Sequence, residues 1–277
     1  MPELPEVETI KSQLQTILPF KINECNFSIN STRLIKSKDF DLTNKEIISI
    51  ERTGKWLIFQ LKHNGFLLSH LGMSGSWQMG KEKLKHKHGH IEFIQTTKNK
   101  FSILTYVDPR RFGHFYILNN ENFLKKMSNF PIDITHPDFD KNYISEQFFK
   151  NPNKTLKPFL LDQKVFFGIG NYMASEICAR ARLLPTVKTG DLSDVKIEEL
   201  FKSIKEVVDG AISSNGTTFS GGYVDANGEK GEGVRNLLVF YQTECQICKG
   251  EGRFTKIIKT QLQSRGTYHC PYCQKAT

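Results

Sequence analysis

No uninterrupted apolar run in the 277 residues approaches the roughly 20 needed to span a bilayer. The N-terminus also lacks the basic segment and the apolar segment of a secretory signal. Both absences predict an intracellular protein without membrane association. Internal repeats and low-complexity tracts are missing too, which sets aside solenoids and tethers as the main architecture. Cysteine is scarce, with six residues, and four of them fall in two C-x-x-C pairs near the end. In a reducing compartment such pairs read as metal binding rather than disulfides. Cys25 and Cys178 read as packed, inert thiols.

What is present is ordinary in amount but skewed in charge. Hydrophobic residues make up 38% and charged residues 24%, which excludes wholesale disorder, and the length suffices for two modest domains. Lys and Arg number 38 against 29 Asp and Glu, giving +9. That surplus suits a polyanionic partner such as nucleic acid, although charge alone fits a basic enzyme of any class equally well.

Along the chain, Val7, Ile10, Leu14, Ile17 and Leu18 recur at helical spacing just after MPELPEVETI. Pro5 suits the first helical position, and Glu6 and Glu8 suit the positive end of the helix dipole. From about Ile47 to Leu118 the runs KWLIFQL, FLLSHL, HIEFI, FSILTYV and HFYIL alternate with turn signals at His63-Asn64-Gly65 and Thr97-Lys98-Asn99. This predicts antiparallel sheet folded as a sandwich or barrel with a helix at its edge. Asn129 to Tyr143, with two prolines and several aspartates, reads as a linker. Val195 to Ile212 reads as a helix burying Ile197, Leu200, Ile204, Val207, Val208 and Ala211, stopped by Asn215-Gly216.

Cys245-x-x-Cys248 and Cys270-x-x-Cys273 stand 21 residues apart and can close a tetrahedral zinc site. One pair supplies only half a coordination shell, and a short segment with little core draws folding energy from the metal. A redox-active pair would need a βαβ setting that is absent. Four protein ligands leave no open position, so one structural zinc is expected. Residues 245–277 carry six basic residues and one acid, which suits contact with a phosphate backbone.

MPELPEVE at the start, HLGMSGSW at 70–77, DPRRFG at 108–113, GIGN at 168–171 and the terminal cysteines, in this order and spacing, resemble the formamidopyrimidine-DNA glycosylase family over the whole chain. The resemblance implies an α+β chain: an N-terminal antiparallel β-sandwich with flanking helices over residues 1–128, a linker at 129–142, a helix-two-turn-helix module with a lesion-covering loop over 143–235, and a four-cysteine zinc finger over 236–277. It implies removal of oxidised bases, 8-oxoguanine and formamidopyrimidines above all, from double-stranded DNA, followed by strand cutting at the abasic site by a monomeric enzyme. The endonuclease VIII branch, which favours oxidised pyrimidines, is the near alternative. Leu4 and the set Met73, Arg110 and Phe112 lean away from it. A non-catalytic zinc-dependent protein that recognises damaged DNA is the distant alternative, and Pro2, Glu3 and Lys55 argue against it.

Residue roles follow from the same resemblance. Once Met1 is removed, Pro2 is a secondary amine able to attack C1′ and form an iminium that drives elimination. Glu3 is the acid for the sugar ring oxygen, Glu6 a second carboxylate that organises the site, and Lys55 a phosphate contact that assists proton transfer. Read without the family, Glu6 is a first-turn helix cap and Lys55 a strand lysine. Asn171 and Arg265 grip phosphate, with His70 and Arg111 as further phosphate contacts. Met73, Arg110 and Phe112 fill the void left by the extruded nucleotide. Two features depart from the family: the 21-residue spacing between the cysteine pairs is long, and the glycine-rich segment Gly216 to Glu232, where the lesion-covering loop should lie, aligns poorly and is expected to be mobile. His86, His88 and His90 read as a solvated basic loop.

Overall fold

The structure, a computed structural model, describes residues 2–81, 87–97, 100–219 and 222–276, so Met1, His86, Lys98 and Asn99 lie outside the described residues. The chain divides into two compact units, residues 1–130 with 214–232, and residues 131–213 with 233–277.

The first unit opens with α1 (Leu4–Gln15), then β1 (Phe20–Lys21), β2 (Glu24–Phe27), β3 (Ile35–Lys38), β4 (Glu46–Thr53), β5 (Trp56–Leu61) and β6 (Gly65–His70). It continues with β7 (Ser76–Gly80), β8 (Gly89–Thr97), β9 (Lys100–Val107), β10 (His114–Asn119) and α2 (Asn120–Met127). Six strands form one sheet in the order β1-β4-β5-β6-β10-β3, and four form another in the order β2-β8-β9-β7. Pairing is antiparallel as expected, except that β10 and β3 run parallel. Trp77, Phe59, Phe93, Tyr106 and Phe115 fill the core with Val7, Ile10 and Leu14 of α1, which packs on β4, β5 and β7. Each such side chain contributes about 1.5–3 kcal/mol by leaving water. The Trp77 indole, fully enclosed, donates to Ser69 Oγ at 3.0 Å, so its one polar atom is satisfied. On the other face of the six-stranded sheet, Ile58, Phe66, Leu68 and Leu118 are covered by Phe123 and Met127 of α2.

Helix α1 begins one residue earlier than expected. Leu4 is its first residue and Pro5 its second, because Glu3 and Glu6 form a reciprocal capping box at its head.

The segment expected to be a mobile loop is held, in its described residues, against the first unit. Met79 N donates to Ala226 O at 2.8 Å, Ser76 Oγ to Val224 O at 2.8 Å, and Gln13 both donates to Asp225 and accepts from Ala226 N. Tyr223 and Ala226 join the core, and apolar burial of this kind is what outweighs the entropy of a glycine-rich chain.

The second unit contains α3 (Lys141–Lys150), α4 (Leu156–Leu160), α5 (Asn171–Arg180), α6 (Asp194–Ser213), α7 (Gln246–Gly250) and the hairpin β11 (Ile258–Leu262) and β12 (Arg265–His269). The sequence placed α6 within a residue at each end. It buries Ile197, Leu200, Ile204, Val208 and Ala211, while Val207 is half-buried. Asn215 and Gly216, both at positive φ (54° and 79°), end it as the stop signal predicts. Within the 129–142 stretch that reads as a linker, Ile134 and Phe139 are buried, and Asp133 bridges Phe167. Among the described residues, no helix is long and apolar enough to cross a membrane.

Candidate active site and DNA-contacting groups

At the head of α1, Pro2, Glu3 and Glu6 are all buried. Glu3 N donates to Glu6 Oε2 at 2.7 Å, and the Glu3 carboxylate accepts from the Glu6 backbone N–H in return. The second oxygen, Glu6 Oε1, accepts from Thr217 N at 2.7 Å. Glu6 is therefore a cap, as its position in the first turn predicts, and also the tie between α1 and the 214–232 segment. Gly216 makes this approach feasible, since a Cβ there would lie 2.9 Å from Glu6 Cγ, on a backbone at φ +79°.

Lys55 is buried at the turn between β4 and β5. Sequence reasoning missed the residue that relates this turn to α1. Arg52 Nε donates to Glu8 Oε2 at 2.6 Å and Arg52 Nη1 to Gly54 O at 3.0 Å, so one guanidinium joins the helix to the peptide preceding Lys55. Burial alone would raise the Glu8 carboxyl, but hydrogen bonds from Lys11 and Arg52 outweigh it and hold the group below its ordinary value.

Met73 projects from the turn between β6 and β7, 37% exposed, and Phe112 from the loop between β9 and β10, 53% exposed. The Arg110 guanidinium lies 5.0 Å from the centre of the Phe112 ring, a cation–π distance. The two loops touch at Gly72, whose φ is +67° and where a Cβ would stand 2.4 Å from the Phe112 carbonyl carbon. The three residues assigned to void filling thus share one edge of the first unit. Arg111, exposed and at φ 57°, donates to Asn30 Oδ1 at 3.3 Å.

His70 is not an exposed cation. Its ring stacks on His114 (4.8 Å, 19°) and meets Trp56 edge-on, while Nδ1 accepts from Gly72 N at 3.1 Å, which leaves Nε2 as the nitrogen that carries the proton. Burial first, then His114 and Lys55, pull its pKa down from 6.5 to about 3. A phosphate contact from His70 would be a neutral N–H donor. The unfolded chain takes up a proton here near pH 6.5 and the folded chain only near 3, so the unfolded state binds the extra proton between those values. Stability therefore falls as pH is lowered through that window. Urea-unfolding midpoints measured from pH 7 to 4 should fall less steeply for His70→Gln than for the unsubstituted chain; parallel slopes would contradict the assignment.

His90 corrects another expectation. Rather than lying on a solvated basic loop, it is a buried core histidine, with Nε2 on Asp108 O at 3.0 Å and Nδ1 on Ser28 Oγ at 3.1 Å.

In the second unit, Asn171 is the first residue of α5. Its Nδ2 donates to Gly266 O at 3.1 Å, next to Arg265, the first residue of β12. Its Oδ1 accepts at 2.8 Å from Lys157, a fully enclosed lysine whose Nζ also donates to Gly266 O and Thr267 Oγ1, each at 3.1 Å. Lys157 thus fixes Asn171 and the hairpin together, a role no local pattern discloses. Glu176, also enclosed, accepts from the backbone N–H groups of Leu238, Val239 and Phe240 at 2.6, 3.0 and 2.8 Å. It anchors the stretch leading to the cysteines. Burial raises its pKa even against those three donors.

The Sγ atoms of Cys245, Cys248, Cys270 and Cys273 lie within 4.8 Å of one another, all buried, with Cys245–Cys273 at 3.6 Å and Cys248–Cys270 at 3.7 Å. A tetrahedron with Zn–S bonds of about 2.3 Å has edges of about 3.8 Å, so the four thiols fit one zinc ion in a closed, structural shell. The long spacing between the pairs leaves the hairpin intact. Its two-residue turn, Gln263 and Ser264, has both φ values positive (45° and 61°), as a tight right-twisted hairpin requires.

The family model described as Formamidopyrimidine-DNA glycosylase N-terminal domain matches residues 1–115, and that described as Formamidopyrimidine-DNA glycosylase H2TH domain matches residues 131–221. The formamidopyrimidine-DNA glycosylase of Ureaplasma parvum serovar 3 is 36% identical, with 99% of this chain and all of that protein covered. A Lactococcus lactis Fpg solved with abasic-site DNA superposes with a TM-score of 0.86 at 29% identity, and a MutM complex with carbocyclic 8-oxo-G DNA gives the same values. Each of these alignments covers 99% of this chain and all of the other. With both regions matched and its whole length aligned to such relatives, the chain belongs to the formamidopyrimidine-DNA glycosylase family.

Proposed function

We propose that this chain is a base-excision-repair enzyme that releases oxidised purines from duplex DNA and then cuts the strand at the abasic site, acting inside the cell as a monomer. The observation that carries the reading is the buried carboxylate pair beside Pro2 at the head of α1, with Lys55 also buried in the same unit. A helix start needs neither a buried pair nor a tie to a residue 211 positions away.

In this reading the Pro2 nitrogen, freed by removal of Met1, attacks C1′ of the damaged nucleotide. Glu3 protonates the ring oxygen, so the C1′–O4′ bond opens and the base departs with its bonding electrons and a proton. The resulting iminium draws electron density from C2′. Loss of the C2′ proton then expels the 3′ phosphate, and a further elimination expels the 5′ phosphate. Glu6, held by two backbone donors, keeps Glu3 and the segment at Thr217 in register. Asn171 and Arg265 supply donors to backbone phosphate, for which a guanidinium fork and an amide are well suited. Met73, Arg110 and Phe112 occupy the gap left in the base stack. Zinc held by the four cysteines would supply folding energy to the hairpin that carries Arg265 and takes no part in the chemistry.

The purine preference is tested by comparing kcat/KM on duplexes carrying 8-oxoguanine and thymine glycol. A higher value for 8-oxoguanine is expected. A higher value for thymine glycol would move the chain to the oxidised-pyrimidine reading.

A further inference from the structure

We infer that Asp108 is the positioning residue that joins the Met73 turn and the Arg110–Phe112 loop into a single wedge, so that the three void-filling side chains enter the duplex with their mutual geometry already set. The inference rests on the glycosylase reading above and deepens it.

Asp108 is fully enclosed, and both of its oxygens are occupied from two directions. Oδ1 accepts from Ser74 Oγ at 2.6 Å and from Arg110 N at 3.2 Å, so it holds the residue after Met73 and the backbone of the second loop on one atom. Oδ2 accepts from Gly113 N at 2.8 Å, just past Phe112, and from the Tyr106 hydroxyl at 3.3 Å. Arg110 N also reaches Ser74 Oγ at 3.1 Å, which closes a small ring of donors and acceptors between the loops. The assembly is fastened to the core: the Tyr106 hydroxyl lies 3.1 Å from Leu71 O, and His90 Nε2 meets the Asp108 carbonyl at 3.0 Å.

The chemistry at this point requires an acceptor-only group. Four donors converge on two oxygens, and an ionised carboxylate offers about four lone-pair sites and no hydrogen. An amide would turn an NH2 toward one pair of donors and set hydrogen against hydrogen. Burial and the Asp108 charge push the Tyr106 phenol well above its ordinary pKa, so it stays a donor at every pH at which the protein works. Two exposed loops moving independently would have to be ordered as they entered the stack. Joined beforehand, they avoid that entropy loss at the moment of extrusion.

The test uses Asp108→Asn, Ser74→Ala and the double variant, each assayed on an 8-oxoguanine duplex and on a single strand carrying an abasic site, where no stack needs filling. Thermal unfolding reports folding, and Ser74→Ala, which removes only a half-buried hydroxyl, carries the test if Asp108→Asn does not fold. We expect kcat/KM on the duplex to fall about tenfold or more in each single variant, the range of a small misplacement, with single-strand cleavage within about twofold of the unsubstituted chain. The double variant should lose little beyond Asp108→Asn, because the two groups form one link. Unchanged duplex activity, equal losses on both substrates, or strictly additive losses would each overturn the assignment. An unsubstituted chain inactive on both substrates would remove the glycosylase reading, and the proposal with it.

Discussion

A chain whose Pro2 nitrogen is blocked by an additional, uncleaved residue should bind an 8-oxoguanine duplex, fail to cut it, and give no covalent complex when borohydride is present. The expectation follows from what the nitrogen must do. An α-amine has a reference pKa of about 8, against about 10.4 for a lysine, so near neutral pH a useful fraction is already unprotonated. Condensed with the opened sugar, a secondary amine can only give a charged iminium, which borohydride reduces to a stable amine. An acylated nitrogen is an amide: it has no nucleophilic lone pair and no route to the iminium. Duplex binding depends on other residues and should survive, measured on a duplex carrying a reduced abasic site. Trapping of the blocked chain at the level of the free one would exclude Pro2 as the nucleophile.

Removal of zinc should have the other large effect. Elemental analysis is expected to give about one zinc per chain, as a closed four-thiolate shell requires. Apparent binding free energies of structural zinc in small fingers are about 10–16 kcal/mol, comparable to the entire stability of an ordinary domain at about 5–15 kcal/mol. A chelator, or Cys248→Ser, should therefore unfold the hairpin β11–β12. With it go the Gly266 carbonyl that both Lys157 and Asn171 use and the turn that presents Arg265. Duplex affinity should drop about a hundredfold or more once these contacts and the basic hairpin are lost. Burial holds the Cys245 thiol up at about 11, so in the absence of metal it keeps its proton. Metal release should accordingly be favoured at lower pH, where protons compete for the sulfurs. A metal-free preparation that is folded and fully active would refute the assignment.

The features legible in the sequence are those whose signal is local. Val7, Ile10 and Leu14 keep helical spacing behind acids in the first turn, although Ile17 and Leu18 of the same pattern lie past the end of α1 at Gln15, and two C-x-x-C pairs announce a metal shell without knowledge of the path between them. Helix α6 was readable to within a residue for the same reason. The clamps were not readable. Arg52 acts on Glu8, 44 positions away, Lys157 on Gly266, 109 away, and Asp108 on Ser74, 34 away. No propensity or period carries such pairings, and each residue taken alone is an unremarked member of a strand, helix or loop. His90 was misread because its neighbours in KEKLKHKHGH are basic, whereas its own fate is set by Ser28 and Asp108, which the chain brings from either side. The segment 216–232 reads as mobile because abundant glycine lowers the apparent tendency to order. Tyr223 and Ala226 reverse that by burial, and the backbone groups of Thr217, Val224 and Ala226 find partners in α1 and β7.

The hydrogen bond from Thr217 N to Glu6 spans 211 residues of sequence, and that separation bears on the protein's birth. During translation, at about 5–20 residues per second, the amino end emerges tens of seconds before the residue that completes its carboxylate site. On the proposed reading, a nascent chain therefore carries the Pro2 amine long before it carries the backbone donor that completes the Glu6 carboxylate's partners. Pro2 and a Glu6 carboxylate held from both sides therefore coexist only once Thr217 has been made, and the hairpin that carries Arg265 follows later still.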